Sequence, residues 1–179
     1  MITQMGTGMR TDTPLGPEIW IRGPVPAPEP VPPEPVHTPA TARRRPFVSF
    51  VGAHGGAGTS TLATVYGGHD CGRDWPGPAA PRSVLLVART HAAGLRSALH
   101  TLEVFRHGGA PPGLDLAAVV LVADAPGRLP RPLAQRIKVI ESAIDVYRVP
   151  WMPAWRLDDL TGPAPREPAA LARLAAGTA

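Results

Sequence analysis

Four runs of the chain are mainly apolar: residues 47–51 (FVSFV), 83–88 (SVLLVA), 116–123 (LAAVVLVA) and 145–149 (DVYRV). None alternates cleanly between apolar and polar positions, so each reads as a strand covered on both faces, the pattern of a parallel sheet. Between the runs the period changes. Leu95, Ala98, Leu99, Leu102 and Phe105 recur at helical spacing and predict a helix over 92–107, closed by Gly108 and Gly109. Leu133, Ile137, Ile140 and Ile144 predict a second amphipathic helix, with Pro130 and Pro132 tolerated in its first turn. A shorter helix starts at Ser60 and is cut after Tyr66 by Gly67 and Gly68. Residues 69–82 read as a loop anchored by Trp75, and the tail from Leu157 as a loop followed by a weak Ala/Leu helix over 167–176. Strand and helix thus alternate, which predicts right-handed crossovers and a three-layer α/β domain with a parallel sheet.

Composition adds a boundary. The chain has 179 residues and 24 prolines, many of them crowded into residues 23–35 (GPVPAPEPVPPEP). Proline at that density favours polyproline II and excludes helix. The expected organisation is a disordered Pro-rich arm over 1–46, a folded domain over 47–157 and a tail over 158–179. Within the arm, Trp20 and the run Arg43, Arg44 and Arg45 are the groups suited to docking a partner. The single Cys71 excludes a disulfide framework and a cysteine-rich zinc site. No apolar run approaches the ~18 residues that span a membrane, and no leader pattern opens the chain, so a cytoplasmic location without membrane is expected. The net charge of +4 permits weak, non-specific contact with nucleic acid and does not demand it.

The candidate chemistry lies at residues 52–61, GAHGGAGTST, between the first strand and the first helix. Successive backbone N–H groups of such a glycine loop form an anion nest, and the helix that follows adds the positive end of its dipole. The phosphate-binding candidates are therefore His54, Gly55, Gly56, Ala57, Gly58, Thr59, Ser60 and Thr61. This stretch resembles the deviant Walker A motif of the ParA/MinD group of P-loop NTPases, KGGxGK[ST][ST]. All the glycines are present, but His54 and Thr59 stand where that motif has lysines. The resemblance implies ATP or ADP as cofactor and places Ser60 at the magnesium-hydroxyl position. Two strand-end arginines, Arg89 and Arg128, are candidates to replace the lost lysine, because ligands of α/β sheets bind at the strands' carboxyl ends.

The carboxylates that the resemblance implies are not evident. If residues 83–91 filled the switch strand, Ala88 and Thr90 would sit where acids belong, and Asp124 alone would mimic the Walker B acid. In a second alignment, 83–89 and the helix after it resemble a later part of the fold. The strand ending at Asp124 then leads into a base-contacting loop, and Pro150 and Trp151 lie against the base. The two acid-bearing strands are then replaced by the loop region 67–84. No catalytic residue and no metal-ligand set is identified, so magnesium is not expected. A narrower resemblance, carried by 54–61, 72–76, 87–98, 123–133 and 150–156, is to a small family of ParA-like proteins to which no activity is attached. Three readings stay open: a degenerate nucleotide- or phosphate-binding protein with little or no ATPase activity, an interaction module with a vestigial loop, and an ATPase completed in trans. The second and third imply a homodimer or a protein partner, engaged through the arm or an exposed surface. A role in plasmid partition or DNA transfer would follow from analogy alone.

Overall fold

A computed structural model describes residues 47–162, 165 and 169–177. The arm and its Trp20 and arginine run lie outside the described residues. In chain order the elements are β1 (Val48–Gly52), α1 (Thr59–Tyr66), β2 (His69–Asp70), β3 (Ser83–Arg89), α2 (Ala92–Arg106), β4 (Asp115–Val122), α3 (Arg131–Glu141) and β5 (Val146–Val149). A 3₁₀ turn over Ala154–Leu157 and α4 (Ala169–Ala176) follow. All five strands are parallel, in the order β2-β1-β3-β4-β5.

Alternation along the strands explains why the runs are apolar throughout. Val48, Phe50, Leu85, Val87, Ala118, Val120, Val122 and Val149 point to one face, where Leu62 of α1 and Leu171 and Ala175 of α4 cover them. Val51, Val84, Leu86, Ala88, Val119 and Leu121 point to the other, where Leu95, Ala98 and Leu102 of α2 and Ile137 and Ile140 of α3 cover them. The three layers are thus α1 and α4, the sheet, and α2 and α3. Ser49 is the polar exception in β1: it is fully buried, and its hydroxyl donates to the Pro81 carbonyl at 2.7 Å. Trp75 packs as an anchor on the second face, its ring 6.0 Å from that of Phe105.

The region 69–82 is more than a loop. Gly67 caps α1 in the left-handed conformation, and Gly68 lies against the Phe50 ring with no space for a Cβ. The chain then runs beside β1 for two residues, pairing His69 with Ser49 and Asp70 with Phe50. A strand this short leaves no periodicity to read. The first strand also begins one residue later than expected, with Phe47 exposed. Among the described residues, no helix is long and apolar enough to cross a membrane.

The strand order fixes where a ligand would meet the sheet. The helix after β1 lies on one face and the helix after β3 on the other. Between the carboxyl ends of these neighbouring strands the connections diverge and leave a crevice. The glycine loop leaves β1 at that point, and Arg89 ends β3 there.

Candidate functional site

Gly56 (φ 72°) and Gly58 (φ 107°) adopt left-handed conformations that L side chains rarely take. Gly58 is the N-cap of α1, and no side chain caps this helix. Its first-turn amides therefore keep their hydrogen-bonding capacity, beside the positive end of the helix dipole. No atom lies within 4 Å of a Cβ built at Gly55 or Gly56, so the outer side of the loop is open. Ala57 turns the opposite way, into the core.

His54 does not face the mouth of this loop. Its Nδ1 bonds the Gly55 carbonyl at 2.8 Å, and its Nε2 accepts the Arg89 backbone N–H at 3.0 Å. Those partners assign the proton to Nδ1. The ring is 5.1 Å from that of His91, whose Nδ1 accepts the Gly94 N–H at 2.9 Å and caps α2. His54 is thus a pin between the loop and the end of β3. Both ring nitrogens are committed to backbone groups.

Arg89 takes the place that His54 leaves. Its Nε donates to the Gly56 carbonyl at 3.3 Å and its Nη1 to the Ala123 carbonyl at 3.1 Å. Its Nη2 is 3.8 Å from the Cβ position of Gly58. The guanidinium therefore lies across the loop, spanning β1 and the end of β4. A guanidinium has five N–H donors; two are used here, and three remain for an anion.

Pro150 and Trp151 are brought to the same end of the sheet. With Gly58, Thr61, Arg89 and Trp155 they line a cavity of about 50 Å³. The Arg156 guanidinium sits over the Trp151 ring, 5.1 Å from its centroid, and holds it in place. Asp124 and Arg128 are not on the lining of that cavity. They line a separate depression of about 230 Å³ with Thr90, His91 and Leu133, and the Asp124 N–H donates to the Thr90 hydroxyl at 3.1 Å.

One acid near the loop was missed in the sequence. Asp70, at the end of β2, accepts the Gly72 N–H at 2.9 Å, and the Ser60 and Thr59 hydroxyls are near enough to lower its pKa. Partial burial raises its pKa, but the Ser60 hydroxyl, the Gly72 N–H, the Thr59 hydroxyl and His69 together outweigh it, and the net shift from 3.8 is downward. Folding therefore favours the ionised carboxylate. That small contribution is present above about pH 4 and is lost as the pH falls through the lowered value. An ionised Asp70 also repels an anion on the loop: two unit charges ~6 Å apart in water interact by about 0.7 kcal/mol. Asp70→Asn is thus expected to tighten metal-free pyrophosphate binding about threefold, measured by calorimetry. If that substitution weakened metal-free binding, the carboxylate would be part of the anion site rather than opposed to it.

Among the described residues, no three His, Cys, Asp or Glu side chains cluster as metal ligands. The chain belongs to the family of unknown function DUF6668, which it matches over residues 47–171. No curated protein and no solved structure matches it.

Proposed function

We propose that the glycine loop is a phosphate-binding site on a degenerate ParA/MinD-like P-loop fold, and that it binds without hydrolysing. The observation that carries this reading is the Arg89 guanidinium laid over Gly56 and beside Gly58, with three free donors, where the family's motif would bring a lysine. The crevice between β1 and β3 supports it, because sheets of this strand order bind ligands there. The second alignment is supported by the shortness of β2: the region 67–82 adds only two residues of strand beside β1, with β3, β4 and β5 on the other side.

ATP or ADP would be held through its phosphates. The cavity beside Pro150 and Trp151, about 50 Å³, is far below the ~300 Å³ at which ligand pockets begin, so the base adds little. Pyrophosphate, ATP and GTP are then held about equally. Magnesium fits this site poorly, since Asp70 is a single carboxylate already engaged by Ser60, Thr59 and Gly72. Among the described residues Asp70 is the acid identified beside the loop, and hydrolysis is not part of this reading.

The test is a thermal-shift screen with pyrophosphate, ATP, ADP, GTP and sulfate, with and without magnesium. Stabilisation by the diphosphate and triphosphate ligands without metal is expected, lost in Gly58→Val and kept in Ser60→Ala. A flat response from the wild-type chain at millimolar ligand would sink the phosphate site and leave the reading of an interaction module with a vestigial loop.

A further inference from the structure

On the α2 side of the sheet, next to the start of the glycine loop, lies an open groove of about 630 Å³. Ala53 closes one end, Arg73 stands on the turn after β2, and Arg96, Ser97, His100 and Thr101 come from α2. Arg96 and His100 are four residues apart and so share one helix face. Among the described residues, neither Arg73 nor Arg96 has a hydrogen bond or an ion pair. One acid, Glu103, is also on the lining, against two guanidiniums and an imidazole.

We infer that this groove is a second anion site, distinct from the glycine loop, for a phosphorylated small ligand. The chemistry is that of phosphate recognition. Two guanidinium forks can each offer parallel N–H donors to phosphate oxygens, and the Ser97 and Thr101 hydroxyls and the His100 imidazole are on the same lining. The volume lies within the ~300–1,000 Å³ range of small-ligand pockets and is much larger than one inorganic phosphate needs. The support is firm where it matters. The turn that carries Arg73 is tied to β1 by the Gly52 N–H on the Gly72 carbonyl at 2.7 Å, and is closed by Asp74 N–H on Cys71 O at 3.1 Å. Arg96 stands on a 15-residue helix whose opposite face is buried.

Pyrophosphate is the probe, titrated calorimetrically into the full chain. Two binding classes are expected. Arg73→Ala and Arg96→Ala should each weaken one class ten- to a hundred-fold, the effect of losing a charge-assisted contact, and leave the other unchanged. Both side chains are exposed and unpartnered, so neither substitution endangers the fold. Gly58→Val should remove only the class that Arg73→Ala and Arg96→Ala leave. Binding that persists in Gly58→Val and disappears in Arg96→Ala upholds the groove even if the loop binds nothing. Pyrophosphate affinities unchanged in both arginine variants, or a single binding class that Gly58→Val abolishes altogether, would overturn the inference.

Discussion

Arg89→Ala is expected to weaken metal-free binding of pyrophosphate and ATP at the glycine loop ten- to a hundred-fold, read by calorimetry in the presence of EDTA. The size follows from the contact removed. A hydrogen bond to a charged group contributes about 1.5–3 kcal/mol, and each 1.4 kcal/mol is a factor of ten in affinity. Arg89 also bonds the carbonyls of Gly56 and Ala123, so its loss loosens the loop as well as discharging it. Arg89→Lys separates the two contributions. Lysine restores the charge without the planar fork that holds both carbonyls, so it should recover part of the affinity. An Arg89→Ala protein that bound both ligands as tightly as the wild type would show that the guanidinium only braces the loop.

Gly94→Ala is expected to destabilise the domain by about 2–4 kcal/mol, lowering the melting temperature by about 10 °C. Alanine is normally the better helix former, so helix propensity alone predicts the opposite sign. Packing decides against it. Gly94 is buried in the first turn of α2, and a Cβ there would strike the Arg89 carbonyl and come within 2.9 Å of His54 Nε2. The helix would have to back away from the end of β3, breaking the pin between His54 and the Arg89 N–H. Calorimetric melting of Gly94→Ala beside Gly55→Ala checks this. Gly55 has ordinary φ and open space around its Cβ position, so its substitution should change stability by no more than about 0.5 kcal/mol. A Gly94→Ala domain as stable as the wild type would mean that α2 is not tightly seated on the loop.

The sheet was legible because both its faces are covered. Runs such as 84–88 and 116–123 carry apolar side chains at every position, and the spacing of Leu95, Ala98 and Leu102 marks the helix that covers part of them. The glycines of the loop were visible as a cluster, and the structure puts two of them, Gly56 and Gly58, in left-handed backbone. What the sequence hid depends on non-local contact. β2 is two residues long, so nothing in its composition separates it from a turn, and Asp70 reads as a loop acid until pairing with β1 brings it to Ser60 and Thr59. His54 and Arg89 are 35 residues apart, and their exchange of roles follows from two hydrogen bonds that no spacing rule encodes. Asp124 follows the end of β4, whereas Arg128 lies further along the turn that leads to α3, and both line another depression, one strand further from β1.

In the proposed site phosphate is held by the loop's backbone amides and Arg89, with no metal. Titrating ATP into the full chain in EDTA, and again with magnesium, tests it most directly. Saturable binding is expected in EDTA, no tighter with magnesium, unchanged in Ser60→Ala and lost in Gly58→Val. Binding that appears only with magnesium and vanishes in Ser60→Ala would contradict it and restore a metal-dependent nucleotide site built on Ser60 and Asp70.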